Sequence, residues 1–563
     1  MRIEMDAEVT IIGAGPVGLV LAAELARKGR TVVVVEQRSA GEAPSPKCNH
    51  ISARTMEILR RLGVADHVRA VGLPDEFPHD VSYRTASTGT ELARILIPGR
   101  NGRKRSDPGP DTSWPTAEPP HRVNQIFFEP VLFDFVSKLP NVTILNRVQA
   151  LSFEQDEDGV STLIEDMETH ARRTLRSRFM IGCDGGRSPT RKAIGAKFEG
   201  DAVVQRVQST FIRAPKLLGM LTAGPAWAMF TMNPRRSGNV YAIDGGETWL
   251  VHNYLRPDEA DFDSVDRDRC IRDILGVDNA FEYDVLSNED WYGRRLVADR
   301  FRDRRVFICG DAAHIWVPYA GYGMNAGIAD AENLAWLLAA NLAGWGGDAI
   351  LDAHEAERKP ITQQVSHFAM NHAHAMAKQR AAVPADIEEP GPHGDAVRAE
   401  VGKRAYDLNV QQYCCGGLNF GYYYDQSPIV AYDDEAAPAY GMADFTPSTV
   451  PGCRLAHFFT SDGLSVYDLL GDGYALLRMD NRVPIGSLLA TTRRRNTPLT
   501  VIDLAGQSTP AAYRHKLVIA RPDGHVAWRG DALPDDVDAL LRVLTGAPSE
   551  RTAANRTSAQ AAA

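Results

Sequence analysis

At 563 residues the chain is too long for a single hydrophobic core and calls for several domains. Its 44% hydrophobic and 24% charged residues are those of an ordinary folded protein and exclude extensive disorder. The net charge of −10 is spread without long blocks and offers no basic stripe for nucleic acid, while the seven cysteines form neither CxxC nor zinc spacing, so no metal site is expected.

No apolar stretch approaches the ~20 residues needed to span a bilayer, and reduced thiols suit a cytosol, so a cytoplasmic protein without membrane contact is expected. The first pattern in chain order is EVTIIGAGPVGLVLAAELARKGRTVVVVEQ, a buried strand, a glycine turn, a helix and a second buried strand ending in Glu36. The segment PGRNGRKRSDPGPDTSWP reads as a long surface loop. Then PAWAMFTMNPRRSGNVYAIDGGETWLVHNYL supplies apolar runs broken by turn residues, an antiparallel sheet. RVFICGDAAHIWVPYAGYGMNAG is a strand stopped by Gly310-Asp311, a glycine loop, and the start of a helix. A Pro, Gly and Tyr-rich stretch near 385 to 450 leads to a small α/β tail, and residues after about 549 read as disordered.

Gly13, Gly15 and Gly18 form GxGxxG between a strand and a helix, with Pro16 opening the helix and Glu36 placed to accept from ribose hydroxyls. The helix N-terminus there is suited to a pyrophosphate. Asp311 can take a hydrogen bond from a ribityl hydroxyl, and Gly321, Gly323 and the helix beginning near Asn325 can approach a flavin ring, which selects FAD over NAD as the resident nucleotide. Between the two lies RFMIGCDGGRSPTRKAIG, a strand running into Asp184-Gly185 and then Arg191.

The order of these three motifs resembles the class A flavoprotein monooxygenases, the para-hydroxybenzoate hydroxylase and phenol hydroxylase group, over roughly residues 7 to 380. The resemblance implies an α/β chain: a Rossmann-like FAD-binding domain (1–80, 121–200 and 286–385), an inserted antiparallel-sheet substrate domain (81–120 and 201–285), a linker (386–450) and a C-terminal thioredoxin-like α/β domain (451–548). The last contains Cys453 alone, so no disulfide exchange is expected. Carried onto this chain, Asp184, Gly185 and Arg191 serve FAD and NAD(P)H docking, and Gly310, Asp311, Pro318 and Met324 belong to the ribityl and ring loop. Lys47 stands where the family has Arg, and Gln125 matches a glutamine that contacts FAD. His314 is common to the pattern and is read as structural. His367, His372 and His374 do not share one helix face and give no metal site.

The implied activity is hydroxylation of a phenolic or polycyclic aromatic substrate with NADPH or NADH and O2 through a flavin C4a-hydroperoxide. Trp227, Met229, Phe230, Met232 and Trp249 are the expected pocket, and His50, Tyr241 and His252 the candidates for a base that ionises a phenol. Apart from NPRRSG the sheet has no arginine cluster for a carboxylate, which favours a neutral phenol. Baeyer–Villiger oxygenation, or an inactive flavin-binding scaffold, would keep the same motifs. A homodimer is compatible with all of these.

Overall fold

The computed structural model describes residues 5–547; the expected disordered tail lies outside them. The first sheet is built around Ala7–Ile12, which pairs in parallel with Val32–Glu36 on one side and with Arg172–Gly182 on the other. Val142–Asn146 and Val306–Ile308 extend it in parallel. The run Val32–Glu36 is buried at every position, as a parallel strand covered on both faces must be. Helices Pro16–Arg27 and Tyr322–Leu342 pack against each other beside it. This is the Rossmann-like layer.

The second sheet has eight strands in the order His314–Trp316, Asp284–Ala298, Phe198–Arg213, Thr248–Tyr254, Gly238–Ala242, Ala228–Thr231, Val81–Arg84 and Glu91–Ile95. The expected boundary near 285 falls inside it, because Asp284–Ala298 pairs with Phe198–Arg213 along almost its whole length. The segment expected as a surface loop near 98–115 is partly built in. It holds the short helix Arg100–Lys104, and Asp111 is buried and bound to Arg103 at 2.6 Å.

The stretch expected as a linker also departs from that reading. Pro392–Tyr413 is a helix of 22 residues packed on strand Glu91–Ile95, followed by a π-helical turn at Gly417–Gly421. Pro392 and Gly394 lie in its first turn, where proline opens a helix without losing a bond, and apart from Gly402 most of the remaining run is made of good helix formers.

The C-terminal domain is a mixed sheet, Leu499–Asp503, Tyr474–Arg478, Leu517–Ala520 and Val526–Gly530, with helices Gly486–Arg494 and Val537–Leu544 packed together. Cys453 is a buried free thiol. The domain docks through exposed ion pairs such as Arg60 with Asp468 and through one group of charges that is wholly enclosed. Arg521 binds Glu357 with two bonds, 2.5 and 2.8 Å, and Asp523 at 2.6 Å, and its guanidinium lies over Trp336 and Tyr424. His525 stacks on Tyr424 at 4.2 Å and accepts from Arg54 at 3.1 Å, since a guanidinium can only donate. Replacing Arg521 by Leu strands Glu357 and Asp523 in the interior. The expected loss is about 3–5 kcal/mol of unfolding free energy, read from the urea midpoint, with partial recovery in the Arg521→Leu, Glu357→Leu double variant.

Candidate active site

Where strand Ala7–Ile12 gives way to helix Pro16–Arg27, the backbone has no room for side chains. Gly13 has φ +105°, and a Cβ there would lie 2.4 Å from the Cys183 carbonyl oxygen; one on Gly18 would lie 2.0 Å from the Gly13 carbonyl oxygen. Gly15, the helix N-cap, has open space before it instead. Beside this turn, Glu36 accepts from the Ala14 amide at 2.7 Å and the Arg38 amide at 2.9 Å. Burial works against its charge, but the hydrogen bonds from Arg38 and Ala14 more than offset that and hold it below the usual carboxylate range.

The loop after Val306–Ile308 is held from behind by Asp330. That carboxylate accepts from His314 Nε2 at 2.6 Å, Arg358 Nε at 2.7 Å and the Gly310 amide at 3.2 Å. Asp311 is thereby turned outward, its side chain reaching an open cavity. The surrounding protein pushes its carboxyl up, while His314 and Lys47 pull it back down. Solvent in the cavity screens that push, so its charge is retained more easily than that of a sealed acid. Farther on, Gly321 has φ +60° and caps helix Tyr322–Leu342; a Cβ there would meet His50 at 2.9 Å. Asn325 clamps the two segments, donating to the carbonyls of His50 (3.1 Å) and Gly321 (2.6 Å) and accepting from the Ser52 amide.

Asp184 accepts from Ser188 Oγ at 2.5 Å and the Thr190 amide at 3.0 Å, which shapes its own turn. Arg191 is not in the cavity. It donates to the carbonyls of Gly186 (3.1 Å) and Ala312 (3.4 Å) and lies over Phe198, so it ties two cofactor loops together rather than facing a ligand. Gly18, Gly310 and Asn325 likewise stand behind the surface. The other expected cofactor residues line one continuous cavity of about 860 Å³: Gly13, Gly15, Pro16 and Glu36 at one end, Lys47, Gln125, Asp184 and Gly185 along it, and Asp311, Pro318, Gly321, Gly323 and Met324 toward the second sheet. Within it Gln125 is bonded to Glu129 at 2.8 Å and Lys47 to Glu289 at 3.2 Å.

The far half of the cavity is walled by aromatic rings. Tyr413, Trp227, Phe230, Tyr241, His252 and Trp291 form a chain of neighbours with centroids 5.4 to 6.4 Å apart. Of the expected pocket residues, Trp227 and Phe230 line it. Met229 and Trp249 do not, because they share the opposite face of the sheet: Met229 pairs with Val240, Val240 with Val251, and Trp249 with Ala242. That face includes Gly238, against which Ile274 of helix Arg267–Leu275 packs. Met232, just past the strand, is buried outside the cavity as well.

The glycine turn, with free space before the helix N-terminus, an acid at the second strand end and an outward Asp311, fits the pyrophosphate, ribose and ribityl groups of FAD. A family model for the FAD binding domain matches residues 6–369, and one for the C-terminal domain of aromatic-ring hydroxylases matches 448–548. The chain belongs to the FAD-dependent aromatic-ring hydroxylases. An FAD-dependent monooxygenase, apdD, of Emericella nidulans is 30% identical over 96% of the hydroxylase and 90% of its own length. A 2,4-dichlorophenol 6-monooxygenase of Cupriavidus pinatubonensis is 27% identical, with both chains covered completely (100% and 100%). Among solved structures, chromopyrrolic acid-soaked RebC with bound 7-carboxy-K252c superposes with a TM-score of 0.87 at 32% identity, covering 97% of this chain and 100% of that one. FAD is the resident cofactor of the family and NAD(P)H its usual electron donor.

The three base candidates of the hydroxylase differ sharply in what they can do. His50 is 3% exposed, and its Nδ1 accepts from the Arg122 guanidinium. Burial, with the Arg122 charge beside it, pushes its pKa well below the ordinary imidazole value, and the His121 backbone engages the ring further. Its basic lone pair is therefore occupied, which is a poor arrangement for a base. Burial raises the Tyr241 phenol far above its usual range and keeps it protonated. His252 has no hydrogen-bond partner among the described residues and remains half-exposed to the cavity; burial pushes its pKa down to about 4. It is a neutral imidazole with free nitrogens.

Gln412, Tyr413 and Arg122 line the cavity without having been singled out in the sequence. The first two sit at the end of the helix hidden in the supposed linker, where a run of helix formers before QQY was the available signal. If Asp311 holds a ribityl hydroxyl and His314 acts only through Asp330, Asp311→Ala weakens FAD binding about ten- to a hundred-fold at unchanged Tm, the worth of a charged hydrogen bond. His314→Ala lowers Tm instead. Fluorescence titration with FAD and thermal melts of both variants separate the two roles.

Proposed function

We propose that the hydroxylase uses NAD(P)H and O2 to place a hydroxyl group ortho or para to the oxygen of a phenolic or polycyclic aromatic substrate. The observation that carries this reading is the single cavity running from the FAD cradle to an aromatic wall that contains one imidazole with free nitrogens. FAD bound in the cradle supplies the reduction by NAD(P)H and the activation of O2. A relative is named for a chlorinated phenol, and a structural neighbour was solved with bound 7-carboxy-K252c; the phenol agrees with an aromatic ring lying between these walls.

The side chains then have separate tasks. Edge-to-face contacts with Trp227, Phe230 and Tyr413 hold the ring and keep water from it. His252 takes a hydrogen bond from the phenol hydroxyl, drawing the proton away from the ring oxygen and raising electron density at the ortho and para carbons as the oxygen is transferred. Tyr241, kept as a phenol, offers a hydrogen-bond donor next to His252 at a ring distance of 5.4 Å. The seven free thiols suit a reducing cytoplasm.

His252→Ala is expected to leave reduction of the flavin by NAD(P)H within about twofold while product per NAD(P)H falls roughly tenfold and H2O2 rises, within the usual contribution of a general base. Because the His252 pKa lies at about 4, coupling in the unsubstituted enzyme stays level between pH 8 and pH 6 and is lost only on further acidification. A decline centred on the ordinary imidazole range, or unchanged coupling in the variant, assigns the base elsewhere. A product with oxygen inserted beside a ketone overturns the reaction class.

A further inference from the structure

One charged side chain in the cavity has no counter-ion. Arg122 is 2% exposed and lines the aromatic half. Its guanidinium donates to His50 Nδ1 and, at 3.2 Å, to the Tyr413 carbonyl oxygen, and its Cζ lies 4.4 Å from the centroid of Trp227. All three partners are neutral. Among the described residues no carboxylate stands within ion-pair distance of it, and the acid whose charge it feels most, Asp111, is already bound to Arg103 at 2.6 Å.

Enclosing a guanidinium without an anion is costly, and this protein avoids it at comparable positions. Arg358 and Arg521 are equally buried, and each holds a carboxylate, Asp330 at 2.7 Å and Glu357 at 2.5 Å. The arginines of NPRRSG are also satisfied, Arg235 by Glu388 at 2.9 Å and Arg236 by Glu259 at 2.6 Å, and neither lines the cavity. Arg122 shares with Arg191 a set of wholly neutral partners, and of the two only Arg122 lines the cavity, where the proposed substrate lies.

We infer that Arg122 holds an anionic oxygen of the aromatic substrate, either a ring carboxylate or an ionised phenol or enol, against the face of Trp227. The inference rests on the proposed hydroxylation and names its substrate class. Two of the five guanidinium N–H donors are committed to His50 and Tyr413, which leaves donors for one or two anionic oxygens. Such a substrate supplies the missing counter-ion on binding. The neutral phenol favoured by the sequence is thereby replaced by an anion.

Calorimetric titration of the FAD-loaded enzyme tests this. The probes are 3-hydroxy-2-naphthoate, its uncharged carboxamide, and 4-nitro-1-naphthol on either side of its own ionisation. The first pair reads a carboxylate and the last probe a phenolate. At least one anionic form is expected to bind about ten- to a hundred-fold tighter than its neutral counterpart. Arg122→Gln should erase that preference and Arg122→Lys keep part of it, with FAD retained in both. Equal binding of anion and neutral form in the unsubstituted enzyme overturns the inference, and that comparison needs no variant to fold. So does a preference that survives Arg122→Gln, or loss of FAD in place of loss of charge selectivity, which would assign Arg122 to the cofactor. Binding is read without turnover. Anion-selective binding without stimulated NAD(P)H oxidation would therefore refute the hydroxylation and leave the role of Arg122 standing.

Discussion

A single enclosed carboxylate, Asp330, decides where the cofactor loop stands. Burial alone would neutralise it; the interactions with His314 and Arg358 more than offset that cost and hold its pKa well below the usual range. The third donor is the Gly310 amide, so the backbone that presents Asp311 is fixed by a group that never touches the cavity. Arg358 has a neighbour in sequence with a second task. Glu357 receives Arg521 of the C-terminal domain, and Asn333 beside it, at 2.6 Å, bonds His354 at 2.9 Å. Adjacent residues on helix Ala353–Ala381 thus anchor the cofactor loop and the C-terminal domain.

This arrangement gives the C-terminal domain, which has no redox pair of its own, a mechanical meaning. Its enclosed docking charges, Arg521 and Asp523, reach the helix that carries Arg358. A buried ion pair of this kind does little for net stability compared with apolar packing, but it penalises any other geometry heavily once formed. The same reasoning applies at the cavity. Edge-to-face rings from the second sheet meet Tyr413 of the helix Pro392–Tyr413, so the wall opposite the cofactor cradle is assembled from segments far apart in the chain.

Distance along the chain separates what was legible in the sequence from what was not. The turn at Gly13, Gly15 and Gly18, the acid Glu36, and the loops at Asp184 and Asp311 each lie in one short segment, where glycine spacing and strand ends reveal them. The face of a strand is different: Met229 and Phe230 are both apolar and adjacent in sequence, and only the register, Met229 opposite Val240, shows which of the two turns from the cavity. Arg191 carried the right motif but is consumed in tying Gly186 to Ala312. Arg122 and Tyr413 were illegible because their meaning comes from a meeting across 291 residues. Asp330 left a weak trace, an acid inside the apolar helix pattern AGIADAENLAWLLAANLAG.

The central claim is that cofactor cradle and aromatic wall form one chamber in which oxygen passes from O2 to a ring carbon. The most direct test is turnover under 18O2 with a naphthol that stimulates NAD(P)H oxidation, followed by mass analysis of the product. The account predicts one labelled oxygen on an aromatic carbon ortho or para to the existing oxygen, with about one NAD(P)H consumed per product. Label found only in H2O2 and water, or in a ring-expanded lactone, would contradict it.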